Sequence, residues 1–243
     1  MAGCSLWGRG VWKLFGGRPV LRGADWEFRG RLTLLLAPNG SGKSTLLLTS
    51  LGVYKPTRGS AGVCLADRRE LGVALEFRET PLYARVADFL LFTAGLRGLS
   101  CDRACVERAV ELVGLPREAL HQRLGSLSSG QLRLAMLAQA LLGEPEVVVL
   151  DEPFANLDAG HRIRVSTILN RLSRSSRVVV ATHVLAQLRA DEAYTIREGR
   201  LRGIRPPEPR RPLLVSVETG EIVEADPERA LELLDSGAYL PAE

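Results

Sequence analysis

Ala37-Pro38-Asn39-Gly40-Ser41-Gly42-Lys43-Ser44-Thr45 follows the apolar run Arg31 to Leu36 and opens an apolar helix. A strand, a glycine-rich turn and a helix in that order make a phosphate-binding loop. Glycines let backbone N–H groups turn inward, the helix presents its positive N-terminus, and a lysine reaches the terminal phosphates of a nucleotide. On this reading Pro38, Asn39, Gly40, Ser41, Gly42, Lys43, Ser44 and Thr45 bind the phosphates of a nucleotide, with the Ser44 hydroxyl on Mg²⁺. Ala37 stands where G-x-x-x-x-G-K-[ST] has its first glycine. One methyl group is tolerated there if φ stays negative.

Working outward, Glu146-Val147-Val148-Val149-Leu150-Asp151-Glu152 is an apolar strand that ends in two acids. Strand ends are where α/β proteins place ligand-binding groups. Asp151 is assigned to the metal and Glu152 to the general base that polarises an attacking water. Arg177 to Ala181 is a third short apolar run. Segments with helical spacing, Val106 to Leu112, Leu132 to Leu142 and Ile163 to Leu172, alternate with these runs, so the chain is α/β with a parallel-sheet core.

The chain has 243 residues, 46% hydrophobic and 25% charged, which excludes a disordered or collagen-like protein and leaves room for a large core. The longest apolar candidate, Tyr83 to Leu99, is broken by Arg85, Asp88 and Arg97, so no membrane span is expected. Cys4, Cys64, Cys101 and Cys105 contain no C-x-x-C pair and no metal-site spacing, and are expected to be reduced thiols in a cytoplasm. The charge is uneven: from Pro212 onward the net is −7, and the preceding residues carry +11. The sign changes at the four prolines of 205–212, a stiff linker. The expected organisation is a body over 1–204, the linker 205–212 and an acidic ββα extension over 213–243. Its helix is capped by Asp226, opened by Pro227 and stopped by Gly237, and a unit this small should dock on the body or on a partner.

Between the two phosphate-site motifs stands Leu127-Ser128-Ser129-Gly130-Gln131, just before the helix Leu132 to Leu142. With it the sequence resembles the ATP-binding subunit of an ABC transporter over nearly all of residues 5–204. The resemblance implies a P-loop NTPase of ABC-ATPase type with a parallel-sheet core, an antiparallel β subdomain and a helical subdomain at about 80–130. It implies that two cassettes pair head to tail, with Ser128, Ser129, Gly130 and Gln131 of one closing over the γ-phosphate held by the other. Asn156 and Asp158, in Asn156-Leu157-Asp158, match the loop that contacts the opposite subunit. His183 matches the histidine at the γ-phosphate, and Phe15 the aromatic that stacks on adenine, with Trp12 as the alternative.

In the same family a glutamine normally follows Leu75, where this chain has Glu76. A glutamate still ligates Mg²⁺ but cannot donate when ionised, and the exchange tilts the reading toward export. The implied protein is an ATP-hydrolysing motor with ATP and Mg²⁺, a homodimer or a heterodimer with another ABC ATPase. It would lie in the cytoplasm on the inner face of the membrane and drive integral membrane subunits. Val86, Phe89, Leu90 and Phe92 give an apolar surface in the segment where the family receives those subunits, though most of them should be core of the helical subdomain. The scattered arginines give no nucleic-acid footprint. Two rivals remain: a soluble ABC-type ATPase acting on nucleic acid or an assembly complex, and an ATP-dependent dimerisation switch.

Overall fold

A computed structural model of the chain describes residues 5–75, 81–184 and 187–242. Three sheets organise these residues. The first is antiparallel, built from β1 (Leu6–Phe15), β2 (Arg18–Glu27) and β4 (Arg58–Val63) in the order β2-β1-β4. The central sheet contains β3 (Leu32–Leu36), β5 (Leu71–Ala74), β6 (Val147–Asp151), β7 (Arg177–Thr182), β8 (Glu192–Arg197) and β9 (Arg200–Ile204). Its order is β5-β6-β7-β3-β8-β9, parallel throughout except for the antiparallel edge β8-β9.

Strands buried on both faces need apolar residues at every position, which is why β6 and β7 read as unbroken valine-rich runs. Their residues alternate between two cores. Leu35, Val147, Val149, Val179 and Ala181 pack with the antiparallel sheet and α1 (Lys43–Ser50). Leu34, Val148, Leu150, Val178 and Val180 face the other way, onto the helices α2 (Val86–Leu96), α3 (Arg103–Leu112), α4 (Ser129–Leu141) and α5 (Ala159–Leu172). β5 lies so close to α4 that a Cβ on Gly72 would fall 1.9 Å from the Ala140 carbonyl oxygen.

The three helices expected from apolar spacing all start earlier than that spacing indicates. Asp102 caps α3 through the Cys105 N–H, Ser128 caps α4 through that of Gln131, and Asp158 caps α5 through that of His161. Periodicity marks the buried stretch of a helix, whereas the cap fixes its first turn.

The acidic extension forms β10 (Leu213–Ser216), β11 (Ile222–Glu224), α6 (Pro227–Asp235) and a further strand, β12 (Tyr239–Pro241), in the order β11-β10-β12. β12 escaped the sequence reading because three residues carry no measurable period. The extension docks on α5: Ile163 shares a core with Leu214, Ala225 and Ala230, the buried Thr167 hydroxyl donates to Pro227 O at 2.9 Å, and Arg164 pairs with Asp235.

Two further expectations meet the structure in this region. Val86 and Leu90 are fully buried and Phe89 packs partly against the same core, while Phe92 is 64% exposed. The reduced-thiol expectation is corrected. Cys101 and Cys105 form a disulfide with Cα atoms 5.3 Å apart, and Cys64 is also disulfide-bonded. Cys105 sits in the first turn of α3 and Cys101 just ahead of its cap, which brings i,i+4 neighbours into bonding range without any C-x-x-C spacing. Cys4 lies outside the described residues.

Candidate active site

The spatial order β6-β7-β3 places three loops distant in sequence at one edge of the sheet. Parallel pairing puts all three C-terminal ends on that edge, and the ladders run one residue beyond the strands: Glu152 N–H donates to Ala181 O at 2.8 Å and Ala37 N–H to Thr182 O at 3.2 Å. The phosphate loop, the acidic strand end and His183 therefore converge.

Lys43, at the start of α1, and Glu152 are 5% and 7% exposed. The Lys43 ammonium lies 3.0 Å from Glu152 Oε1 and donates to the carbonyls of Ala37 (2.8 Å) and Pro38 (3.2 Å). On the other side, Glu152 Oε2 accepts from His183 Nδ1 at 2.9 Å and from the Thr182 hydroxyl at 3.1 Å. An ionised carboxylate only accepts, so His183 carries its donated proton on Nδ1. Burial pushes the Glu152 carboxyl up, but the hydrogen bond from His183, with the hydrogen bond and charge of Lys43, outweighs it and holds the group below the usual carboxylate range. Glu152 also has φ 49°, an uncommon conformation for a residue with a side chain, and it turns the carboxylate back beneath the loop.

The loop has the features an anion needs. No side chain caps α1, in contrast to α3, α4 and α5, so its first N–H groups are left for a ligand. Ser41 Oγ is buried with no hydrogen-bond partner, and nothing lies within 4 Å of the Cβ position of Gly40, whose φ is +77°. Gly42 has φ +105°, which a side chain would strain, whereas Ala37 keeps a negative φ and is buried, so its methyl group is accommodated. The donor set fits a polyphosphate. For a divalent ion, Ser44 is exposed at the start of α1 and Asp151 is 3% exposed at the end of β6, while Glu76 lies outside the described residues. Among the described residues no group of three or more His, Cys, Asp or Glu could hold a metal by itself.

Phe15 is 42% exposed at the end of β1 and meets Tyr54 edge-on at 5.3 Å, with the Lys13 ammonium 4.8 Å above its ring. Tyr54 escaped the sequence reading because it follows α1 by a few residues and belongs to no motif. Trp12 instead packs beside Gly23 within the antiparallel sheet. Ser128 and Gln131 are occupied with one another in a reciprocal cap: Gln131 N–H donates to Ser128 Oγ at 3.2 Å and Ser128 N–H to Gln131 Oε1 at 3.1 Å. Ser129 is exposed in the first turn of α4, Gly130 is buried there, and Asn156, at φ 59°, is exposed in the loop before Asp158. Thr182 is the other residue missed; its position next to His183 was the available signal.

A parallel sheet with an uncapped phosphate loop beside a buried Lys-Glu pair that a histidine joins defines a P-loop ATPase of the cassette type. The family model for ABC transporters matches residues 24–155. The chain belongs to that family as an ATP-binding ATPase subunit, whose hydrolysis is coupled to transport. It is 36% identical over 175 residues to the ABC transporter ATP-binding protein YxlF of Bacillus subtilis, an alignment that covers 69% of this chain and 59% of that one. With an aliphatic sulfonates import ATP-binding protein, SsuB 1 of Agrobacterium fabrum, it shares 34% identity over 217 residues, 84% of this chain and 76% of the other. Its fold superposes on a dimeric bacterial ABC transporter cassette with a TM-score of 0.68 at 20% identity, covering 83% of this chain and all of that one.

Proposed function

We propose that this cassette hydrolyses Mg·ATP between two subunits and thereby drives separate integral membrane subunits. The observation that carries the proposal is the Lys43-Glu152-His183 array, in which the buried Lys43-Glu152 pair is joined by the exposed His183. Lys43 is held by two loop carbonyls and by the carboxylate that would act as base. A triphosphate in the loop competes for that ammonium, and once Lys43 turns to it, Glu152 Oε1 is released while Oε2 stays fixed by His183 and Thr182. The freed oxygen then orients and polarises the attacking water. Mg²⁺, held by Ser44 and Asp151 with Glu76 as the further ligand, would neutralise charge on the phosphates. Phe15, supported by Tyr54, offers a ring face to adenine.

Ser128 to Gln131 and the loop of Asn156 and Asp158 are read as surfaces for a second cassette, the same chain or a related one. The dimeric cassette of the same fold supports this reading. The body over 1–204, its helical part at about 80–130, the linker 205–212 and the extension 213–243 remain our division of the chain, and the protein is placed at the cytoplasmic face of the membrane. The SsuB relative serves import, which weighs against the export direction suggested by Glu76; the membrane partner sets the direction.

The test is Glu152→Gln. Nucleotide binding should persist while turnover disappears; an unchanged hydrolysis rate removes Glu152 as the base. Affinity purification from gently solubilised membranes should recover a polytopic membrane protein. Recovery of soluble proteins or nucleic acid alone, with the cassette folded and binding ATP, would move the assignment to a cytoplasmic ATPase.

A further inference from the structure

The first turns of α4 and α5 meet at one point. The Asp158 carboxylate accepts the His161 backbone N–H on Oδ1 at 2.8 Å and lies 2.7 Å from His161 Nδ1 on Oδ2. One carboxylate thus fixes both the backbone and the ring of His161, and the Asp158 carboxyl sits below its ordinary range because the donors of His161 outweigh its burial. The far edge of the ring lies against Gly130. A Cβ at that position would fall 2.5 Å from Nε2 and 2.6 Å from Cδ2. Gly130 does not have positive φ, so the backbone does not require a glycine there; the imidazole does. Gly130 is in turn held by the Ser128-Gln131 cap, and α5 is held on its other side by the extension through Arg164-Asp235 and Thr167-Pro227.

We infer that His161 is a positioning residue that locks the turn of Ser128 to Gly130 to the loop of Asn156 to Asp158 within one cassette, so that the two reach a second cassette as one rigid surface. This rests on the proposed pairing of cassettes around ATP. The ring borders an open cleft of about 410 Å³ lined by Asp158, Gly160, Arg164, Leu234 and Pro241. Loss of the imidazole therefore enlarges a solvent-accessible space and leaves the core intact, and the variant should fold.

The experiment compares wild type, His161→Ala and His161→Asn in the full chain. It measures kcat and KM for ATP, and ATP-driven dimerisation in a Glu152→Gln background. His161→Ala should lower kcat at least about tenfold and weaken dimerisation, with KM within about twofold, because misplacing a closing surface costs rate more than nucleotide binding. His161→Asn, whose amide can still donate to Asp158 but stops short of Gly130, should recover little of the loss, because it restores only one side of the lock. Wild-type rates in His161→Ala, a KM change that accounts for the defect, or full recovery in the Asn variant would each overturn the inference. A wild-type chain that neither turns over ATP nor dimerises with it would instead remove the proposed function, and this inference with it.

Discussion

Lys43 and Glu152 form a buried ion pair. Buried pairs are costly to split by deletion, because the remaining charge is left unpaired. Lys43→Ala should weaken ATP binding by about 10- to 100-fold, the range for one charge-assisted hydrogen bond to a buried group, and a titration with fluorescent ATP checks it. Phe15→Ala should cost about tenfold in the same titration, because one aromatic–base stack contributes about 1–3 kcal/mol. The depressed Glu152 carboxyl also makes stability depend on pH. A carboxylate whose folded pKa is lowered contributes stability above the unfolded value of about 4.3, and that contribution is lost as pH falls through the folded value. Thermal unfolding at stepped acidic pH should show the wild type losing stability below about pH 4.3 more steeply than Glu152→Gln.

At the scale of elements, glycine marks where secondary structures touch. β5 can lie on α4 only because Gly72 has no side chain, and Ala140 O is backbone that cannot rotate away. Gly72→Ala should destabilise the fold by about 1–3 kcal/mol, as overpacking does, with little change in nucleotide affinity since the contact lies away from the phosphate loop. Denaturant unfolding together with the ATP titration separates the two effects. Helix starts behave in the same local way. Asp102, Ser128, Asp158 and Asp226 each accept a first-turn N–H, and these starts were partly legible in the sequence, whereas α1 and α2 have no side-chain cap.

At the scale of the whole molecule, the opposite charges of body and extension meet at α5, where Arg171 and Arg174 face Glu228 and Arg164 faces Asp235. Those pairs are largely exposed and contribute little. The docking is carried by Leu214, which is fully buried in the small shared core with Ile163 and Ala230. Leu214→Ala should loosen the extension by about 2–4 kcal/mol and make the proline-rich segment 205–212 sensitive to limited proteolysis, while the body still binds ATP.

The strand-loop-helix order around Lys43, the apolar strand ending at Asp151 and Glu152, and the ββα order of the extension were all legible in the sequence. Each is a local pattern, in which residues close in the chain share one element and its period. The sequence could not show that β7 lies between β6 and β3, which is what lets His183 and Thr182 reach Glu152. Nor could it show Tyr54 beside Phe15, His161 against Gly130, or the closure of Cys101 onto Cys105. These contacts depend on strand order, on where helices begin and on how elements of separate segments pack. No spacing along the chain encodes such a distance until long-range burial of apolar faces has fixed the arrangement.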